Sequence, residues 1–334
     1  MKIAIVGAGA IGGFLGVRLA LAGEQVSFLA RGANLAAIRS NGMILRAEDG
    51  TEEHAQGIAA FERPEDAGPH DVVLLTVKAH QVAPLAEGLR HLCHADTAIV
   101  TMQNGIPWWY FHKHGGPHDG RAVRAADPDG AIARHIDPAR VIGSVVYPAT
   151  NLVAPGIIQH IEGNRFSLGE LDGSTTPRIQ ALSAALGRAG FKAPVIRDVR
   201  SEIWLKLWGN LSFNPISALT HATLVDLCQF PLSRELCAKM MAEAKTIAEK
   251  LGVEMRISIE RRIAGAEKVG AHKTSMLIDV EQGRPIELDA LMGAVIELGE
   301  LTETPTPHIS AIYACASLLA KTLAATGGRL QIAT

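Results

Sequence analysis

A short apolar strand running straight into Gly-x-Gly-x-x-Gly at the start of a chain leaves few folds open. Lys2-Ile3-Ala4-Ile5-Val6 leads into Gly7-Ala8-Gly9-Ala10-Ile11-Gly12 and then into a helical pattern that ends at Leu21. Gly7 permits the tight turn, Gly9 lets the backbone approach a pyrophosphate, and Gly12 lets the helix lie close to the strand. The phosphates then rest on the free N–H groups where the helix begins, around Ala10 and Ile11. This order of strand, turn and helix predicts a dinucleotide-binding opening. The competing explanation is a secretory signal, since Lys2 precedes an apolar stretch that ends in Ala20-Leu21-Ala22-Gly23. Gly7, Gly9, Gly12, Gly13, Gly16 and Arg18 inside that stretch argue against it.

Which dinucleotide is bound is decided at the end of the second strand, residues 25–30. NAD sites place an acid there, against the ribose 2′-hydroxyl. None is present: Glu24 sits at the wrong end of the strand, and Arg31-Gly32-Ala33-Asn34 follows it. The planar donor fork of Arg31 suits a 2′-phosphate and points to NADP(H). The plain alternative is a solvated arginine.

With 334 residues the chain can form two domains, each with its own core. A formal charge of −2 and 4% aromatics that are not interleaved with Lys or Arg exclude nucleic acid as an expected partner. No apolar run of about 18 residues is free of charge or clustered glycine, so no membrane span is expected. Cys93, Cys228, Cys237 and Cys315 lack C-x-x-C spacing and read as reduced thiols of a cytoplasmic protein.

The first half alternates apolar runs with helical patterns, which predicts a doubly wound parallel sheet of the Rossmann type. Strand candidates are residues 3–6, 25–30, 72–77 and 98–102, with 140–147, 156–161 and 165–169 finishing the sheet and a helix over 179–190. Ligands of such sheets gather beyond the carboxyl ends of the strands, which brings Lys78 and Gln103-Asn104 to the crevice of Gly7 and Gly9. Residues 106–140 form a punctuated excursion. Its Trp108-Trp109-Tyr110-Phe111 cluster reads equally as a pocket wall or as an anchor to the core. His112, His114 and His118 lack acids or cysteines at ligand spacing, so no metal is expected. From Ser201 onward nearly every segment has helical periodicity. The expected division is residues 1–198, an α/β cofactor domain, and 199–334, an all-α substrate and dimerisation domain.

Within the helix over 201–214, Lys206, Asn210 and Asn214 fall at i, i+4 and i+8 and share one stripe of an otherwise apolar segment. Buried polar groups need partners, because each one left unpaired costs about 1–3 kcal/mol. A polar substrate would supply them; a snorkelling lysine with two backbone-bonded asparagines explains the pattern equally well. Ser275 adds a hydroxyl farther on. Pro285 is expected to open a helix with Glu287 in its first turn, where an acid complements the helix dipole.

In sequence order these segments resemble the ketopantoate reductase (2-dehydropantoate 2-reductase) family over nearly the whole chain. The resemblance rests on Gly7-x-Gly9-x-x-Gly12, Arg31, Thr76-Val77-Lys78-Ala79, Gln103-Asn104-Gly105, Glu202-x-x-x-Lys206-Leu207-x-x-Asn210-x-x-x-Asn214-Pro215, and Ser275-Met276-x-x-Asp279 continuing to Glu287-x-Asp289. It implies NADPH-dependent reduction of ketopantoate to pantoate on the route to pantothenate and coenzyme A. It further implies that Lys206 is the general acid and that Glu287 holds the substrate hydroxyl. Asn104, Asn210, Asn214 and Ser275 then bind substrate, and Lys78 and Asn104 line the cofactor cleft. The excursion over 106–140 departs from the compact members and leaves another branched or aromatic 2-keto acid as the alternative substrate. A non-catalytic NADP-binding sensor is the reading from another class. The apolar surface of the helical domain makes a homodimer plausible.

Overall fold

The computed structural model describes residues 1–47 and 49–328, so the tail expected after Gly327-Gly328 lies outside the described residues. The chain forms two compact units. Unit 1 holds Met1–Gln103, Trp108–Ala122 and Asp127–Val199, and unit 2 holds Asn104–Pro107, Val123–Ala126 and the described residues from Arg200 onward. Two short pieces of the excursion join unit 2.

Among its described residues unit 1 contains eleven strands: β1 (Lys2–Val6), β2 (Gln25–Leu29), β3 (Met43–Arg46), β4 (Glu52–Ala55), β5 (Ala59–Phe61), β6 (His70–Leu75), β7 (Cys93–Thr101), β8 (Val141–Val146), β9 (Ala149–Ala154), β10 (Ile157–Glu162) and β11 (Phe166–Glu170). Seven make one sheet in the order β11-β8-β7-β6-β1-β2-β5, all parallel except the β8–β11 pair. A central parallel strand is covered on both faces, and β6 shows why its run is continuously apolar: Val72, Val73, Leu74 and Leu75 are all buried. Helix α1 (Ala10–Leu21) packs against the sheet, and its Phe14 and Leu15 share one buried cluster with Ile3, Ile5, Val72 and Val100.

The strand expected over 156–161 does not finish the main sheet; as β10 it pairs with β3 and β9 in a second, four-stranded sheet ordered β4-β3-β10-β9. The small sheet packs on α1, where Gly13 makes room for it: a Cβ there would meet Cγ1 of Ile158 at 2.5 Å. His160 of β10 stacks on Phe14 with ring centroids 4.5 Å apart. The polar Glu52-Glu53-His54 of β4 hid the second sheet from hydrophobic patterning.

The aromatic cluster of the excursion is resolved in favour of an anchor at three of its four positions: Trp109, Tyr110 and Phe111 are buried in unit 1. Trp109 also donates its indole N–H to Thr101 Oγ1 at 2.9 Å.

Unit 2 is helical, with Val199–Thr220, Leu224–Gln229, Pro231–Lys250, Ile259–Lys268, Ser275–Glu281, Ala294–Leu301 and Pro307–Ala325. The first of these is its centre. Trp204 and Trp208 are fully buried, each withdrawing roughly 150–250 Å² from water, and Trp208 donates to the Met241 carbonyl at 2.7 Å. The helix expected to open at Pro285 is absent. Residues 284–288 are non-helical, and a π-helical turn, Asp289–Gly293, precedes Ala294–Leu301. Glu287 therefore does not sit in a helical first turn, and the dipole explanation for it fails. Pro307–Ala325 is long and apolar enough to cross a membrane by length and composition alone, a test that helices of soluble proteins also pass.

Candidate active site

In unit 1 the strand ends and the glycine loop build a cradle whose shape depends on missing side chains. Gly7 has φ +109°, a left-handed conformation in which a Cβ would also meet Val77 Cγ1 at 2.7 Å. A Cβ on Gly12 would strike the Gly7 carbonyl oxygen, so only glycine lets α1 start there. Around Gly9 the opposite holds: nothing lies within 4 Å of where its Cβ would be. The N–H groups of Ala10, Ile11 and Gly12 open α1 without helical partners, and no acid occupies its first turn. Open space, unpaired donors and the positive end of a helix fit the pyrophosphate of a dinucleotide.

Thr76, which had no assigned role, and Gln103, expected at the ligand crevice, hold this cradle in shape. The Thr76 hydroxyl lies 3.1 Å from the Val6 carbonyl and 2.8 Å from the Gly7 carbonyl, to which it donates. Gln103 Nε2 donates to the carbonyls of Leu75 and Val77 at 2.8 and 2.9 Å. The Gln103 amide is thus committed to the end of β6. The signal was present in Thr76-Val77-Lys78-Ala79 and Gln103-Asn104, but nothing in those residue types told a ligand group from a scaffold group. Lys78 follows the same strand end and caps the short turn Ala79–Gln81. Arg31 follows β2 as the N-cap residue of α2 (Gly32–Asn41); it is exposed and makes no side-chain cap bond.

In unit 2 the stripe of Lys206, Asn210 and Asn214 lies on the tryptophan-anchored helix. Burial drives the Lys206 ammonium down to about 8, and the negative charge of Glu287 opposes that shift. Asn214 is buried and its Nδ2 approaches Ser275 Oγ at 3.5 Å, the outer limit of a hydrogen bond. Ser275 begins its helix after Thr274, whose hydroxyl caps Leu277 N–H at 3.2 Å. The Asn210 and Asn104 side chains make no hydrogen bond among the described residues, so both amides are available to a ligand. Asn104 is fixed by its neighbours. A Cβ on Gly105 would strike the Ala290 carbonyl oxygen, and Ile106 N–H donates to that oxygen at 2.8 Å. This places the segment 104–107 against the turn that follows Glu287. The stretch before Glu287 is tied back by Arg284, whose Nε pairs with buried Asp279 Oδ1 at 2.9 Å. Unit 2 therefore gathers an ammonium, a carboxylate, a hydroxyl and amides from segments more than 180 residues apart in sequence. Among the described residues no group of three or more His, Cys, Asp or Glu is placed to hold a metal.

A dinucleotide cradle on a doubly wound sheet, with an all-helical unit carrying a pKa-shifted lysine near a carboxylate, defines a two-domain oxidoreductase. Residues 3–112 match the family model described as Ketopantoate reductase PanE/ApbA, and residues 198–320 match its C-terminal counterpart. A 2-dehydropantoate 2-reductase of Mesorhizobium japonicum is 53% identical over 321 residues, 96% of this chain and 98% of the relative. The crystal structure of a Ralstonia solanacearum protein assigned as a ketopantoate reductase superposes with a TM-score of 0.92 at 41% identity, covering 97% and 98% of the two chains. A D-mandelate dehydrogenase solved with NADH and anilino(oxo)acetate shares the fold at 20% identity, with a TM-score of 0.83 over 97% and 99% of the chains. The chain belongs to the ketopantoate reductase family.

Proposed function

We propose that the chain reduces 2-dehydropantoate to pantoate with NADPH, in the cytoplasm, on the route to pantothenate and coenzyme A. The observation that carries this reading is the Lys206 ammonium, shifted to about 8 near Glu287, on a helix stripe with the unengaged Asn210 amide. A bound reduced nicotinamide supplies the hydride. As the ketone carbon of the substrate accepts it, negative charge grows on the carbonyl oxygen. Lys206 faces that charge as a cation and then delivers its proton, giving the 2-hydroxy acid and a neutral amine. Solvent reprotonates the amine.

Asn210, Asn214, Asn104 and Ser275 supply donors for the carboxylate and carbonyl of the substrate, and Glu287 accepts a hydrogen bond from its hydroxyl. In unit 1, Gly7, Gly9, Ala10, Ile11 and Gly12 hold the pyrophosphate, Arg31 takes the 2′-phosphate, and Lys78 lines the cofactor cleft. An aromatic 2-keto acid with NADH is the second reading, supported at the level of fold by the D-mandelate dehydrogenase. Glu287 weighs against it, because a carboxylate in the site serves a substrate that carries a hydroxyl. A sensor without catalysis leaves the lowered Lys206 pKa without a use. The test is NADPH oxidation with a panel of 2-keto acids. 2-Dehydropantoate should have the highest kcat/KM, and turnover of none of the panel would overturn the enzymatic reading.

A further inference from the structure

The covalent length of NADPH fixes the separation of its pyrophosphate from its 2′-phosphate. A protein that reads both must hold the glycine loop and the arginine in register. In this chain Arg31 is the N-cap residue of α2 and makes no side-chain cap bond, and the first helical contact of α2, Leu35 N–H to the Arg31 carbonyl, is long at 3.4 Å. The seat of α2 beside the loop must therefore come from elsewhere.

We propose that Asn34 is a positioning residue for NADPH preference: its amide ties the first turn of α2, and so Arg31, to the glycine loop. The proposal rests on the reading of Arg31 as the 2′-phosphate partner. Asn34 Nδ2 donates to the Ala8 carbonyl at 2.7 Å, one residue before Gly9. Its Oδ1 accepts from Gly156 N–H at 2.9 Å, at the turn between β9 and β10. Gly156 in turn lies against α2, where its Cβ would be 3.2 Å from that of Ala37, and its carbonyl accepts from Ile44 N–H at 2.9 Å. One planar amide thus fixes α2 from two sides, with donor and acceptor both used. Thr76 and Gln103 also brace the cradle, but they act on its pyrophosphate side, which NADPH and NADH share.

The test is equilibrium binding of NADPH and of NADH, followed by nicotinamide fluorescence, in native protein, Asn34→Ala, Asn34→Asp, Arg31→Ala and the Arg31→Ala/Asn34→Ala double variant. Loss of a neutral hydrogen-bond pair should weaken NADPH about five- to tenfold and NADH about twofold or less. Asn34→Asp, of equal size, keeps the acceptor for Gly156 but sets a carboxylate oxygen against the Ala8 carbonyl. It should lose at least as much preference, and it keeps the test open if Asn34→Ala fails to fold. In the Arg31→Ala background, removing Asn34 should cost no further preference, since a residue acting through Arg31 is not additive with it. Equal weakening of both cofactors by the Asn34 variants would overturn the proposal and leave Arg31 intact. Unchanged preference in Arg31→Ala alone would instead overturn the reading of Arg31, and this proposal with it.

Discussion

The two units prepare for their ligands in opposite ways. Around the glycine loop of unit 1 the side-chain polar groups are spent on the protein itself: Thr76, Gln103 and Asn34 all bond main-chain atoms, and the ligand is offered backbone N–H groups and empty space at Gly9. In unit 2 the proposed chemistry falls to side chains. Lys206 bears the cost of desolvation, and Asn210 and Asn104 keep their amides uncommitted. A backbone cradle suits a ligand that must bind and leave unchanged in outline, whereas side chains are needed where charge changes during turnover. The comparison predicts that lesions in unit 1 appear in cofactor affinity and lesions in unit 2 in kcat or in the choice of substrate.

The largest effect should come from Lys206→Ala, which removes both the cation and the proton donor. It should lower kcat about 10²–10⁴-fold while leaving NADPH affinity within about twofold, measured by NADPH oxidation and by fluorescence titration. A near-normal kcat in the folded variant would erase the contrast. Arg31→Ala tests the other side. A charge-assisted bond to phosphate is worth about 1.5–3 kcal/mol, so NADPH should weaken roughly 10–100-fold with NADH and the saturating kcat little changed. The smallest effect is Glu287→Ala, read as the ratio of kcat/KM for 2-dehydropantoate to that for a 2-keto acid without the hydroxyl. The ratio should fall about tenfold, and an unchanged ratio would remove Glu287 from substrate recognition.

How much of this was legible from sequence follows the same contrast. The cradle was readable because its chemistry demands glycine at fixed spacing, and the structure shows why at Gly7 and Gly12. Gly13 and Gly16 belong to the same run yet serve packing, against Ile158 and Phe28, and no spacing rule separated them from their neighbours. The second sheet escaped notice because β4 is polar and β9 only partly buried, which leaves no clear alternation. In unit 2 the stripe Lys206-Asn210-Asn214 was visible at helical period. Ser275, Glu287 and Asn104 arrive from other segments and were legible only through the family resemblance, and the turn at Pro285 runs into a π-helical stretch instead of a regular helix start.

The most direct test of the account is the pH dependence of kcat/KM for 2-dehydropantoate at saturating NADPH, in native protein and in Lys206→Arg. The proton donor must be charged to act, and burial lowers the Lys206 pKa to about 8. The native rate should therefore hold below that pH and fall above it by about tenfold per pH unit. Arginine stays protonated throughout, so Lys206→Arg, though slower, should lose that fall. A native profile that is flat from pH 6 to about 10, or a fall that survives in Lys206→Arg, would contradict the assignment of Lys206 as the acid.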